Sequence, residues 1–530
     1  MFAEIISTGK TKAIIILGII LVIGVFLRAY RFDDLQRFNQ DQARDAAVVE
    51  QMAKDHNFLI MGPYASGTDF HLGPGYYYLE YASMLIFGNS PASMAYPTLL
   101  FSVLAIPLLY VLLRKLFSEN ISLAVAALYA VSFYAVKYAR FAWNPNPLPF
   151  FVLAFILLLA KMNEEKKVPK IIWPVLLGTV IGIGVQLHTF MIVIFPLFAL
   201  SYFAYFIWKK YPLKKSLIIV VFVAVLLNVP QIIQEVRTGW KNTQAFVEGT
   251  GQKTQKHSLS LAERSAKAVE CYAQGNSYML SARNAGSECV LFERGKDSAW
   301  LFYGNIALSL AFMLGGLAIV VHQLKKETET ERKRFLLLVL SFTALCLLAF
   351  VPAINMFNIR YMGIVFFLPF LLLGFWIKLF VDNLKIFGLT FSSLAVLALA
   401  YSNIVPIRKT YFSGANPDRA ETDYGGIDLE DAWLVSDFIL SEAGKYEDRK
   451  MYISASEKKY LVAAQYFLDK HPEFGIGKLP SKNVSGDKHI VFSVNENFKG
   501  KKIKYDTDGY SLIDSTNIDG YDIYILEKKD

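Results

Sequence analysis

The residues whose chemistry stands out lie in the stretch RFNQDQARDAAVVEQM at positions 37–52, directly after the first apolar run. Its carboxylates Asp41 and Asp45 are four residues apart, a spacing that places both on one helical face together with Arg44. One interpretation is a helix start, where acids are favoured. The other is a general base, because a carboxylate near an apolar surface has a raised pKa, which suits proton abstraction.

The composition places this stretch in a membrane protein. Of the 530 residues, 54% are hydrophobic and only 19% are charged, whereas a soluble chain of this length carries more charge. Several apolar runs approach or exceed the roughly 18 residues that indicate a membrane-spanning helix. Many basic residues behind the net charge of +9 lie in short loops between these runs, and no basic–aromatic pattern indicates nucleic-acid binding.

The apolar runs predict a polytopic α-helical protein with about eleven membrane-spanning helices. The first is expected to be a retained span, because no signal-peptide cleavage site follows it. Basic residues concentrate in alternate connections, such as 208–215 and 323–334, which the positive-inside rule assigns to the cytoplasm together with the N-terminus. The predicted spans are 12–28, 91–113, 119–138, 147–161, 171–188, 190–208, 216–232, 300–322, 335–353, 360–378 and 385–404.

Two domains follow from this topology. Residues 1–404 form the transmembrane domain, whose large outer loops are 29–90 and 233–299. Residues 405–530 are expected to form a small extracytoplasmic α/β domain, because strand-like runs at 451–455, 489–494 and 521–527 surround a helix-like segment at 457–470.

The second outer loop carries a pair of cysteines, Cys271 and Cys289. If that loop lies outside the membrane, the two could form a disulfide. Cys346 falls inside an apolar run and is expected to be a small core residue.

The first outer loop holds further candidate residues. TDFHLGPGYYYL (68–79) carries Asp69 and His71 before a Gly-Pro-Gly turn. The tyrosine-rich segment 76–88 predicts an amphipathic helix at the membrane interface. Aspartate and histidine can bind a divalent cation, Mg or Mn, so metal dependence is left open, and no metal site is assigned.

With these features the chain resembles the integral-membrane glycosyltransferases of the GT-C class. It is most similar to the glycosyltransferase family 39-like group, which includes the protein mannosyltransferases, the aminoarabinose transferase of lipid A and the RgtA/B/C/D-like transferases. The motifs that carry the resemblance follow one another over about residues 10–404. They are Asp41-Gln42 within DQARDA, HLGPGYYYL (71–79) with LIFGNS (85–90), ARFAWNPNPLPFF (139–151), GVQLHTF (184–190) and NIRYMGIVFFLP (358–369).

The resemblance implies a transferase that takes a sugar from a polyprenyl-phosphate carrier. The acceptor is a hydroxyl of a protein, a lipid or a cell-envelope glycan outside the cytoplasmic membrane. Asp41 matches the catalytic acid and is expected to deprotonate that hydroxyl, with inversion of the anomeric centre. Where the family has a second acid this chain has Gln42, so Asp45 or Asp69 is left to supply a second carboxylate, with His71 beside Asp69.

The donor phosphate needs cationic partners. Arg360 is the first candidate, because a guanidinium can bind a phosphate bidentately, and Lys137 and Arg140 come next. Ordinary snorkelling at the membrane border is the alternative for Arg360. Four residues are candidates for the sugar-binding or cavity wall, each with a structural alternative such as an interface anchor: Trp143, Asn144, His188 and Tyr361.

Other functions remain as alternatives. A transporter or flippase of lipid-linked sugars usually places ionisable residues near mid-membrane, whereas the acids here gather at the end of the first span. Another enzyme of lipid-linked glycans, such as an O-antigen ligase, and a non-catalytic membrane protein are the further alternatives. The sequence thus favours an extracytoplasmic membrane glycosyltransferase.

Overall fold

Apolar helices build the chain up to residue 412. The computed structural model describes residues 10–65, 68–162, 168–255, 259–282, 299–356, 359–412, 426–480, 488–496 and 509–529. The helices are α1 (Lys10–Ala29), α2 (Gln40–Asp55), α3 (Gly75–Phe87), α4 (Pro91–Arg114), α5 (Glu119–Ala130), α6 (Phe133–Tyr138), α7 (Leu148–Met162), α8 (Ile172–Leu187), α9 (Thr189–Trp208), α10 (Lys214–Leu227), α11 (Val229–Arg237), α12 (Lys241–Gln255), α13 (Leu261–Ser281), α14 (Ala299–Lys326), α15 (Thr330–Phe350) and α16 (Phe367–Tyr411). Short 3₁₀ segments, Val351–Met356 and Ile359–Ile364, precede α16.

The lengths of these helices bear on the number of spans. Within the described residues, six helices are long and apolar enough to cross a membrane: α1, α4, α9, α14, α15 and α16. The pair α10 and α11, bent by 65°, would add a seventh, while α5, α7 and α8 are apolar but shorter. A polytopic helical membrane protein is therefore confirmed, and the count of about eleven spans stays a prediction.

Several predicted spans are broken in the structure. The span predicted at 216–232 breaks at Asn228, because Pro230 has no N–H and its ring would clash with a preceding helical turn, whereas it is tolerated in the first turn of α11. The span predicted from 360 becomes α-helical only at Phe367. Pro369 lacks an N–H and is tolerated in a first helical turn, where no such donor is needed.

The long helix α16 covers two predicted spans because it folds back on itself. Lys385 has φ 48° and ψ −119°, which is non-helical. The rings of Phe380 and Phe391, on either side of it, lie 5.2 Å apart. The two halves correspond to the spans predicted at 360–378 and 385–404.

Close helix packing holds the bundle together. A Cβ at Gly178 of α8 would lie 2.8 Å from the Val220 carbonyl oxygen of α10, so glycine permits this close approach. Helix α7 packs against α4 and α8. The Phe151 ring lies 5.1 Å from that of Phe101 in α4, and the Phe155 ring stacks at 4.3 Å on Phe195 of α9. One apolar core therefore runs through the bundle from α1 to α16.

The C-terminal region forms an α/β unit. Its helices are α17 (Leu429–Ala443) and α18 (Lys458–Leu468), with short 3₁₀ turns at Gly444–Tyr446 and Pro472–Phe474, and its strands are β1 (Lys450–Ala455), β2 (Gly477–Lys478), β3 (His489–Glu496), β4 (Tyr510–Ile518) and β5 (Tyr521–Lys528). The sheet order is β2-β1-β3-β5-β4. Strand β1 is parallel to β2 and β3, whereas β5 is antiparallel to β3 and β4. Strands are thus present at all three predicted runs.

This α/β unit packs directly on α2. Phe38, before α2, lies in one apolar core with Val49 of α2 and Tyr460 of α18. The Phe38 N–H donates to the Ile427 carbonyl at 2.8 Å. The C-terminal region therefore shares an apolar core with α2.

Candidate active site

The start of α2 positions Asp41. The Asn39 N–H donates to Gln42 Oε1 at 3.1 Å, a contact typical of a helix start. Gln42 Nε2 donates to the Ala142 carbonyl at 2.9 Å, which ties α2 to the connection before α7. A carboxylate at position 42 could not donate this second bond, which accounts for an amide here. Asp41 lies in the first turn with its side chain 43% exposed.

Arg44 joins Asp41 and Asp45, two of the acids of α2. Its Nη1 lies 3.2 Å from Asp41 Oδ1, and its Nη2 lies 2.8 Å from Asp45 Oδ1. The predicted helical face of Asp41, Arg44 and Asp45 is therefore present. The two acids differ in environment, because Asp45 is only 2% exposed.

Beneath Arg44, Asp45 meets two residues of α3. The Tyr77 hydroxyl donates to Asp45 Oδ1 at 3.0 Å. Glu80, three residues further along the same helical face, is 1% exposed. Neither Asp45 Oδ2 nor Glu80 Oε2 has a hydrogen-bond partner within the described part of the chain. The result is a buried pair of acids below an accessible one.

Burial perturbs the protonation of this pair, which lies outside the membrane-spanning segments. Burial raises the pKa of Asp45 to about 6, although the Arg44 charge opposes the shift. Burial raises the pKa of Glu80 well above its usual range, and the charge of Asp45 adds to this shift. Burial therefore favours the protonated form of Glu80 beside Asp45.

The second carboxylate near Asp41 differs in part from the sequence expectation. Of the two candidates, Asp45 and Asp69, Asp45 lies beside Asp41. Asp69 is exposed in the first loop, and the structure does not bring it into the group of Asp41, Asp45 and Glu80. The sequence reasoning missed Glu80, whose signal was a single acid within the aromatic and apolar helix α3.

His71 fixes the first loop in place. Its Nδ1–H donates to the Gly62 carbonyl at 2.8 Å, and its ring lies 3.6 Å from that of Tyr64. Its backbone N–H donates to Asn242 Oδ1 at 2.7 Å, and Asn242 Nδ2 donates back to the His71 carbonyl at 3.0 Å. These bonds dock the loop on α12 and give His71 a positioning role. Its participation in an acceptor site stays a prediction.

The Gly-Pro-Gly turn before α3 contacts α8. The Gly75 N–H donates to Gln186 Oε1 at 2.8 Å. A Cβ at Gly73 would lie 2.5 Å from the same oxygen, so glycine allows the turn to lie this close to the Gln186 side chain. The motifs HLGPGYYYL and GVQLHTF therefore meet in space.

A row of cationic and aromatic side chains crosses the same end of the bundle. The Arg37 guanidinium lies over the Phe141 ring at 5.2 Å, and that ring stacks at 6.2 Å on Trp143. The Arg360 guanidinium lies over the Trp143 ring at 4.7 Å and over the Tyr361 ring at 5.5 Å. We call these five residues the cation–aromatic row. It brings the predicted Trp143, Arg360 and Tyr361 together.

Asn144 and His188 form the junction beside this row. Asn144 Nδ2 donates to the Leu187 carbonyl at 2.7 Å. His188 Nδ1 accepts from the Phe190 N–H at 3.2 Å and caps α9. The His188 ring lies 5.2 Å from that of Tyr361. Both residues position the backbone at the edge of the row, and their contact with substrate stays a prediction.

Arg140 and Lys137, the other candidates for the donor phosphate, are both buried. Both are 1% exposed. Arg140 Nη1 donates to the Arg28 carbonyl and Nη2 to the Tyr30 carbonyl, each at 2.8 Å, so its guanidinium holds the end of α1. Lys137 lies 5.9 Å from the Phe133 ring centroid. The bonds to the Arg28 and Tyr30 carbonyls give Arg140 a structural role, while phosphate binding by Arg140 and Lys137 stays a prediction.

The remaining predicted features concern a disulfide and a metal. Cys271 is buried in α13, but Cys289 lies outside the described residues, so the disulfide stays a prediction.

Among the described residues, no three His, Cys, Asp or Glu side chains are grouped to hold a metal ion. The Arg44 guanidinium also occupies the space between Asp41 and Asp45. The acids of α2 therefore do not fit a divalent cation in this arrangement.

Comparison with known proteins shows which protein family the chain resembles. Residues 71–233 match the family model of dolichyl-phosphate-mannose-protein mannosyltransferase. Two crystal structures of ArnT from Cupriavidus metallidurans, in the apo state and bound to undecaprenyl phosphate, each match with a TM-score of 0.50 over 98% of both chains. The resemblance to the GT-C glycosyltransferases is confirmed. At 10% identity the ArnT structures show a shared fold, and no curated protein sequence matches the chain.

The matched segment covers only part of the GT-C-like site. It contains His71, Glu80 and Asn144. Asp41 precedes it and Arg360 follows it, so the assignments of these two residues rest on the geometry and on the motifs.

Proposed function

We propose that this GT-C protein transfers a sugar from a polyprenyl-phosphate donor to a hydroxyl, with Asp41 as the general base. One observation carries the proposal: a half-exposed carboxylate is fixed by Arg44 above the buried acids Asp45 and Glu80. The coarser statement, a transferase of lipid-linked sugars, has support from the mannosyltransferase family match and from the fold shared with ArnT.

The reaction begins with proton transfer to Asp41. The acceptor O–H gives its proton to the carboxylate, and the oxygen attacks the anomeric carbon of the donor sugar. The bond between that carbon and the phosphate oxygen breaks, and its electron pair leaves with the polyprenyl phosphate. Attack opposite the leaving group inverts the anomeric centre. A general base of this kind contributes about 10²–10⁴-fold to the rate.

Arg44 and the buried acids position this base. The guanidinium bridges Asp41 and Asp45, so it restricts the rotamers of the Asp41 side chain. When Asp41 takes up a proton, Arg44 keeps Asp45 as a charged partner. Arg44 is therefore not left with an uncompensated charge during the reaction.

Arg360 is the proposed partner of the donor phosphate. Its guanidinium lies over the faces of Trp143 and Tyr361, which hold it at the end of the bundle. A guanidinium held in this way can bind two phosphate oxygens and neutralise the leaving group. A polyprenyl phosphate fits the proposal, because ArnT has been crystallised bound to undecaprenyl phosphate.

The predicted topology sets the location of the reaction. The positive-inside rule places the α2 end of the bundle outside the cytoplasmic membrane. The acceptor is then a hydroxyl of a protein, a lipid or a glycan of the cell envelope. The C-terminal α/β unit lies on the same side and covers α2.

The test is sugar release from radiolabelled polyprenyl-phosphate sugars by membranes that carry equal amounts of each variant. Wild type should consume at least one donor, and Asp41→Asn should lose about 10²-fold or more in rate. Asp55→Asn is the matched control, since Asp55 is an exposed acid at the far end of α2. Equal activity of wild type and Asp41→Asn would refute the base assignment. Donor movement across vesicles without sugar release would favour a transporter.

A further inference from the structure

An apolar groove lies between three helices of the bundle. It runs between α4, α7 and α8 and encloses about 230 Å³. Ala154, Leu157 and Leu176 are among the apolar residues that line it. Because these helices are apolar and belong to the membrane bundle, the natural occupant of the groove is a hydrocarbon chain rather than water.

Two lysines and a tryptophan close one end of this groove. Lys115 caps the C-terminal end of α4, Lys161 lies in the last turn of α7, and Trp173 lies in the first turn of α8. Lys161 Nζ lies 5.9 Å from the Trp173 ring centroid, and Lys115 Nζ lies 5.5 Å from that of Phe335. Cationic and aromatic side chains gathered at one end are typical of head-group depth.

The length of the groove matches one leaflet. Along α7 its lining runs from Phe150 to Lys161, which is roughly 17 Å at the helical rise per residue. The hydrocarbon core of a bilayer is about 30 Å thick, so one leaflet contributes about 15 Å. A single acyl chain of the leaflet at the lysine end therefore fits the groove, with its head group at the lysines.

We propose that this groove binds an anionic phospholipid, with one acyl chain between α4, α7 and α8 and the phosphate at Lys115 and Lys161. Basic pockets between membrane helices recognise anionic head groups by charge. The positive-inside rule assigns this end to the cytoplasmic leaflet. The proposal does not depend on the proposed function.

The alternative occupant is the tail of a polyprenyl phosphate. Its phosphate would have to lie at the opposite ends of α7 and α8, beside Asn144 and His188. That phosphate would not contact Lys115 or Lys161. The two occupants therefore differ in their dependence on these lysines.

The test compares phosphatidylglycerol with phosphatidylcholine of the same acyl chains, bound to the full-length protein and measured by native mass spectrometry. Wild type should prefer phosphatidylglycerol, and Lys115→Gln with Lys161→Gln should weaken this preference about 25-fold, at about fivefold for each lysine. Lys209→Gln is the matched control, because Lys209 lies 4.4 Å from the Trp208 ring centroid at the same end of the bundle but does not line the groove.

Further variants separate the site from a folding defect. Lys115→Arg with Lys161→Arg should keep the preference, and Ala154→Phe should weaken binding of both lipids by filling the groove. Equal binding of the two lipids to wild type would overturn the proposal. An unchanged preference in the double Gln variant would also overturn it. The same holds if the protein retains a polyprenyl phosphate in place of phosphatidylglycerol and loses it with Ala154→Phe.

Discussion

Replacing Arg44 by Gln should destabilise the protein strongly at pH 8 and little at pH 5. The change removes the cation that pairs with Asp45 at 2.8 Å, while Asp45 stays 2% exposed. Removing one partner of a buried ion pair costs about 3–5 kcal/mol. Because Arg44 is itself 40% exposed, solvent screening reduces this figure, and we expect a loss of about 2–3 kcal/mol at pH 8.

The pH dependence follows from the pKa of Asp45. Its pKa in the folded protein is raised to about 6, against about 3.9 in an unfolded chain. Because the pKa of Asp45 is higher in the folded protein than in the unfolded chain, protonation of Asp45 stabilises the fold. This contribution is complete below about pH 4 and is lost as pH rises through 6. Without Arg44 the folded pKa rises further. At pH 5 the variant therefore buries a neutral acid, and most of the penalty disappears.

The measurement is the midpoint of thermal unfolding in detergent, followed by tryptophan fluorescence. A loss of 2–3 kcal/mol corresponds to a shift of roughly 2–3 °C at pH 8 for a chain of this size. Asp45→Asn in the Arg44→Gln background should restore most of it, because no charge is then buried. Arg31→Gln is the control, since its partners Asp34 and Glu430 are exposed. Equal shifts at pH 5 and pH 8, or no rescue by Asp45→Asn, would refute the reasoning.

Two other predictions concern the donor site and the docking of the C-terminal unit. Arg360→Lys should raise the KM for the donor about tenfold and leave the unfolding midpoint unchanged. Arg140→Lys should instead lower the midpoint without raising KM. If only Arg140→Lys raised KM, the two roles would be reversed. Glu50 accepts from the Tyr466 hydroxyl at 2.6 Å and from Lys470 at 2.9 Å. Glu50→Gln should speed limited proteolysis of the C-terminal unit a few-fold, through a loss of about 1 kcal/mol, and an unchanged cleavage rate would contradict this docking.

The sequence predicted the features that depend on local pattern. The apolar runs predicted the helices, because a segment that lies in lipid must be long and apolar. The Asn39–Gln42 contact lies at the predicted start of α2. The strands β1, β3 and β5 also follow a local pattern of β-branched and aromatic residues.

Tertiary contacts account for what the sequence did not predict. Glu80 looked like one acid in an aromatic helix, and only the packing of α3 on α2 places it near Asp45. Arg140 lay within a matching motif, but its bonds to the end of α1 join residues more than one hundred positions apart. Sequence gives a residue type and its helical face, and it does not say which partner that face will meet.

The position of Asp41 depends on both parts of the protein. Helix α2 has only 16 residues, and helices of this length draw most of their stability from packing. Gln42 fixes its first turn to the connection before α7, whereas Glu50 fixes its later turns to α18. A shift of about 1 Å in a catalytic group can cost about 10²-fold in rate. With Asp41 as the proposed base, we therefore expect the C-terminal unit to support catalysis by holding α2 in place.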